Sequence, residues 1–131
     1  MKAATLLLVA TLPLSFVLPA HADIVDIKWT GVEFSHNANI APKKFLEICG
    51  KLEKGASIAW RFKGGAESDF NIHYHVGNEV SYPENRKNIA SAEGALAVAQ
   101  DQDYCWMWTN RGAQAITMEM SLLRGVESPK K

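Results

Sequence analysis

The sequence predicts an all-β protein: an antiparallel β-sandwich of about seven to eight strands. Two observations carry this. Residues 56–62 and 70–76 alternate apolar and polar side chains with a period of two, the pattern of strands with one face buried. Turn-forming clusters recur about every eight to twelve residues, a spacing typical of sandwiches and barrels.

From the N-terminal side, residues 24–29 (Ile-Val-Asp-Ile-Lys-Trp) form a short β-rich run, and Gly31 interrupts it before Val32-Glu33-Phe34. Residues 35–42 are polar, contain Asn37 and Asn39, and read as a loop. Residues 45–52 are ambiguous. The spacing of Phe45, Leu46, Ile48, Cys49 and Leu52 suits a helix, whereas Gly50 and the Glu53-Lys54-Gly55 turn suit a strand and hairpin.

In residues 56–62, Ala56, Ile58, Trp60 and Phe62 share one face while Arg61 points the other way, and Lys63-Gly64-Gly65 is expected to end the strand. In residues 70–76, Phe70, Ile72, Tyr74 and Val76 oppose Asn71, His73 and His75. Gly77-Asn78 turns into a short strand at 79–82, and the polar residues 83–92 are read as a loop. Strands at 95–100 and 104–109 flank an Asp101-Gln102-Asp103 turn, and a last strand covers 114–123 with Ile116, Met118 and Met120 on one face.

The first 22 residues have the layout of a secretory signal. Lys2 supplies the charge, an apolar run extends from Leu6 to Leu18, and Ala20-His21-Ala22 has small residues at the cut. The run is too short to span about 20 residues of hydrocarbon, and Pro13 interrupts it. Residues 23–131 are then expected to form a single β-sandwich domain, periplasmic or secreted, with no integral membrane segment. Loss of Lys2 leaves the charge close to balanced, since the whole chain carries 14 basic and 14 acidic residues. Such a balance gives no electrostatic case for nucleic acid.

Two cysteines, Cys49 and Cys105, remain. An even pair in an exported chain points to a disulfide; two free thiols or two metal ligands are the alternatives.

Tyr104-Cys105-Trp106-Met107-Trp108-Thr109-Asn110 has the spacing Tyr-x-x-x-aromatic-x-Asn. It resembles the late strand of GOLD domains, the β-sandwich modules of secretory cargo receptors and some lipid-transfer proteins. Residues 54–60, opening on Lys54-Gly55, resemble the glycine-led strand of that family, and Phe70-Asn71-Ile72-His73 with Glu79-Val80 resembles its central hairpin. The likeness covers roughly residues 32–123. It implies a GOLD-like sandwich of jelly-roll type and a binding role, not a reaction. One departure concerns the cysteine before the late-strand aromatic of the cargo receptors. Met107 stands there in this chain, and Cys105 lies two residues earlier, one strand period away.

The sharpest chemical candidate is His73-Tyr74-His75. Histidines at i and i+2 of a strand project to one face, where two imidazoles suit copper or zinc. His36 is the remaining histidine of the expected mature chain and a candidate third ligand. The competing reading is a pair of surface histidines meeting ordinary hydrogen-bond needs. Met118 and Met120 alternate as core residues do. No Gly-x-Ser-x-Gly, phosphate-binding glycine loop or His-Glu-x-x-His is present, so a non-enzymatic binding module is expected. If Cys105 faces the core, alternation turns Trp106 and Trp108 outward. They would then form, with Arg61, a platform for a protein, lipid or small-molecule partner; otherwise a second layer covers them.

Overall fold

The computed structural model describes residues 23–125; the expected signal peptide lies outside the described residues. Seven strands follow in order: β1 (Asp23–Asp26), β2 (Glu33–Ile40), β3 (Phe45–Leu52), β4 (Ser57–Val76), β5 (Glu79–Ala97), β6 (Gln102–Thr109) and β7 (Ile116–Arg124). Neighbours pair in the order β1-β3-β6-β4-β7-β2, and β5 runs along the other side of β4. The fold is all-β, as the alternation predicts. It is mixed rather than purely antiparallel, because β1 pairs with β3 in parallel.

The 20-residue β4 organises everything else. Its first half, from Ile58 to Gly64, pairs with β7, and its second half, from Asp69 to His73, pairs with β6. β5 accompanies both halves, with register shifts between Lys63 and Ser68 and again before Phe70. The sheet therefore curls into two layers that share one long bent hairpin. Ring positions measure the bend. At about 3.3 Å per residue an extended strand would hold Trp60 and Phe70 roughly 33 Å apart, yet their centroids are 5.1 Å apart. Phe62 reaches Phe70 at 4.6 Å, and Trp108 of β6 lies 5.4 Å from each of the two phenylalanines.

Lys63-Gly64-Gly65 thus makes the corner of one strand instead of ending it. A Cβ on Gly65 would stand 2.6 Å from Thr117 Oγ1, and one on Gly64 3.0 Å from the Ala66 carbonyl. A larger residue would force Thr117 to shift at Gly65 and would crowd the backbone at Gly64.

Two expected loops are strands. Residues 35–40 belong to β2, where Phe34, His36, Ala38 and Ile40 point toward the interior and Ser35, Asn37 and Asn39 toward solvent. Residues 83–92 lie within β5. Its polar composition and Pro83 suit an edge strand, whose outer row of backbone groups meets water. Residues 45–52 are strand, not helix.

Asp69 secures the corner. It is buried, accepts the Asn88 backbone N–H at 3.2 Å, and takes hydrogen bonds from Arg111 and from Lys87 at 3.4 Å. Burial pushes its carboxyl up, but Arg111, the Asn88 amide and Lys87 outweigh that and hold it below its ordinary value. The motif residues Tyr104 and Asn110 are fully buried. Tyr104 Oη accepts the Ala99 N–H at 3.2 Å. Asn110 Nδ2 donates to the carbonyls of Ile40 and Gln114, and its Oδ1 accepts the Gly112 N–H.

Cys49 and Cys105 form a disulfide closing 56 residues. In the chain-entropy account a loop of that size contributes about 4 kcal/mol. Replacing both cysteines by serine is expected to lower urea-unfolding stability by roughly that amount. Trp108→Ala should cost about 3–5 kcal/mol by the same measurement; a loss below about 1 kcal/mol would contradict its central place. Asp69 has a depressed folded pKa, so its contribution is complete above the unfolded carboxylate value of about 3.9 and is lost as pH falls through the folded one. Asp69→Asn should lower the melting temperature at neutral pH. It should also flatten the decline of melting temperature seen below about pH 4.

Candidate functional site

The outer face of the β1-β3-β6 layer gathers the residues with the richest chemistry. Register places Cys49 of β3 opposite Cys105 of β6, and Cys105 opposite His73 of β4. The next row on that face is Glu47, Met107 and Asn71. The disulfide therefore lies on the outside of the layer. The neighbouring side chains of β6, Tyr104, Trp106 and Trp108, fill the interior.

This overturns the tryptophan platform. Trp106 and Trp108 are 0% exposed, because their strand presents its cysteine outward. Arg61 is exposed, but on the outer face of the other layer, where Nε donates to Ser121 Oγ at 3.1 Å. It lines an open groove of mixed polarity with Ser35, Glu93 and Ser121. Arg86 packs its guanidinium 5.5 Å from the Trp60 ring centroid. Trp106 and Trp108 are interior and Arg61 is on the surface, so the expected platform does not form.

His73 is 6% exposed and tethered at both ring nitrogens. Nε2 lies 3.0 Å from Glu47 Oε1, and Nδ1 lies 2.8 Å from Asn71 Oδ1. Glu47 reaches over β6 to make its contact, so the Glu47–His73 pair roofs Cys105, which is 8% exposed; Cys49 is more open. Burial pushes the His73 imidazole below its usual value, Glu47 opposes that, and His75 adds to it. His75 stands edge-on to His73 with centroids 5.4 Å apart, and Tyr82 is tilted 5.9 Å from the same ring.

The expected trio of histidines does not assemble. His36 stacks on Phe34 on the interior side of β2, whereas His73 and His75 occupy the outer face of the opposite layer. Among the described residues, the ligand atoms that converge within 4.8 Å of one another are those of Glu47, His73 and Cys105. Sequence reasoning missed Glu47, which sits in the segment left open between helix and strand. Its two-residue offset from Cys49 was the available signal.

A second feature occupies the end of the sandwich where β4 turns its corner. Arg111 and Lys87 meet at Asp69, Lys43 Nζ donates to the Arg111 carbonyl, and the Asn110 N–H donates to the Lys44 carbonyl. The Lys87 and Arg111 side chains are 62% and 68% exposed. Three cationic side chains, of Lys43, Lys87 and Arg111, thus gather around the buried Asp69, on the β2–β3 turn, β5 and the β6–β7 loop.

No family model matches the chain, and no curated protein matches it. Solved structures do. The periplasmic inhibitor of g-type lysozyme PliG from Aeromonas hydrophila superposes with a TM-score of 0.61 at 10% sequence identity, over 79% of this chain and 96% of that one. PliG from Salmonella Typhimurium, also a periplasmic inhibitor of g-type lysozyme, gives a TM-score of 0.55 at 9% identity, over 79% of this chain and 99% of that one. At such identities the likeness establishes a shared β fold.

Proposed function

We propose that this chain is an exported, non-enzymatic module that binds a protein partner, and that the partner is a lysozyme or related glycan-cleaving enzyme. One observation carries the reading: the fold extends over nearly the whole length of two periplasmic inhibitors of g-type lysozyme. The signal-like first 22 residues agree with the compartment of those proteins. The disulfide suits an oxidising one. A GOLD-type sandwich is compatible with the same architecture, and the motif residues behind that resemblance, Tyr104, Trp108 and Asn110, are all interior. They support a fold and name no ligand.

The docking end in this reading is the cationic one. Most glycoside hydrolases use a pair of carboxylates flanking the scissile bond. An end of the sandwich presenting Lys43, Lys87 and Arg111 is complementary to such a pair, and complementary charge raises association rates and fixes register. The buried Asp69 holds Arg111 and Lys87 in place, so less side-chain entropy is lost on docking.

Residues 23–131, mixed with a g-type lysozyme acting on peptidoglycan, should inhibit it at near-stoichiometric ratio. The double change Lys43→Glu, Lys87→Glu should weaken inhibition by about tenfold or more at low salt, and the gap to the unchanged chain should narrow as salt rises. Absence of inhibition and of a complex with lysozymes of every class would overturn the proposed partner. Undiminished inhibition by the double variant would move the docking surface elsewhere.

A further inference from the structure

We propose that the disulfide masks a metal site: when Cys49 and Cys105 are reduced, their thiolates join His73 and Glu47 as the four ligands of a zinc-class divalent ion. The proposal is independent of the lysozyme reading, which uses the other end of the molecule.

Three of the four ligand atoms already converge, and the fourth is bonded to one of them. Glu47, His73 and Cys105 offer atoms within 4.8 Å of one another, and Cys49 Sγ is bonded to Cys105 Sγ. A tetrahedral zinc site needs metal–sulfur bonds of about 2.3 Å and metal–nitrogen bonds of about 2.0–2.1 Å. Its ligand atoms then stand roughly 3.3–3.8 Å apart, within the present spacing of the Glu47, His73 and Cys105 atoms. Three adjacent strands, β3, β6 and β4, carry these residues in register, so the backbone sets the spacing. A set of two thiolates, one imidazole and one carboxylate has the mixed softness that suits zinc.

His73 is oriented as a ligating imidazole is. Its Nδ1 faces Asn71 Oδ1 at 2.8 Å; an N–H there would donate to that oxygen, so that Nε2, whose present contact is Glu47 Oε1 at 3.0 Å, would give up its proton and turn its lone pair to the metal. Such an outer partner fixes the tautomer and orientation of a metal-bound histidine.

The opening chemistry balances with a dithiol reductant. One of its thiolates attacks the more accessible Cys49 sulfur, the S–S bond breaks, and the electron pair leaves on Cys105. The second reductant thiol displaces Cys49 and closes the reductant's own disulfide, so two electrons and two protons have passed to the protein. Metal binding then releases both thiol protons to solvent. In the oxidised chain the sulfurs have no thiolate to give, and only His73 and Glu47 remain.

The test compares residues 23–131 oxidised and reduced with a phosphine, each freed of metal by chelation and then given Zn(II) or Co(II). Native mass spectrometry should show one zinc per reduced chain and none per oxidised chain. Cobalt should give thiolate charge-transfer and tetrahedral d–d absorption only after reduction. Asn71→Leu should weaken zinc binding about 10–100-fold, and His75→Ala should leave it unchanged. If reduction alone melts the sheet, zinc is expected to restore its circular dichroism. Equal uptake by oxidised and reduced chains, uptake that survives His73→Ala with Cys105→Ser, or a reduced chain that neither binds zinc nor refolds with it would each overturn the proposal.

Discussion

The packing of Trp60 and Phe62 against Phe70 and Trp108 is the contact on which the other features depend. It joins residues from the two halves of one strand, so it can form only if β4 folds back on itself. Without the bend, β6 and β7 would have no common strand to pair with, and the two layers would not face each other. The energy of closing the corner comes from aromatic burial, where each large ring removes roughly 150–250 Å² from water. The cost is borne at the corner, by glycines whose missing Cβ atoms leave room for Thr117 and Ala66. Gly94 gives a similar clearance at the other end of the cluster: a Cβ there would lie 2.6 Å from the Trp60 ring.

Once the aromatics face inward, alternation decides what faces outward. Tyr104, Trp106 and Trp108 cannot be interior unless Cys105 is exterior, and Cys49 follows by pairing. The bridge therefore staples the outside of the layer. That position leaves the sulfurs beside polar side chains, Glu47 and His73, instead of inside the hydrocarbon core. The same core that fixes the fold thus creates a chemically distinctive patch on its far side.

Legibility followed the strength of local pattern. Ile58, Trp60 and Phe62, and then Phe70 and Ile72, announce their strands because both halves of β4 have one apolar and one polar face. The joining of those halves is hidden, since Gly64-Gly65 is equally consistent with a chain reversal and with a bulged corner; only the distant Trp108 decides between them. Strand β2 is hidden for another reason. At an edge its outward residues, Ser35, Asn37 and Asn39, need only be compatible with water, so they read as loop. The tryptophans are misplaced if a disulfide is assumed to belong inside, an assumption that parity alone cannot correct. For the His73 site, the sequence exposes His73 and His75 through their spacing. Glu47, Cys49 and Cys105 come to His73 through pairing across three strands, and no linear spacing encodes that.

The two proposed surfaces are separable because they draw on different parts of the architecture. The cationic end is made by the β2–β3 turn and the β6–β7 loop, held through Asp69 to β5 and the corner of β4. The sulfur–histidine patch is made by the flat middles of β3, β6 and β4. Strand middles hold side chains to fixed registers, which suits a metal site that requires ligand positions within a fraction of an ångström. Loops at a sandwich end can adapt to a protein surface, which suits docking. The pair Cys49 and Cys105 is common to both states of the patch, a covalent staple when oxidised and half of a proposed ligand set when reduced. A bound zinc would replace the staple's cross-strand restraint with another between the same strands, so the fold that presents the cationic end can persist through the exchange.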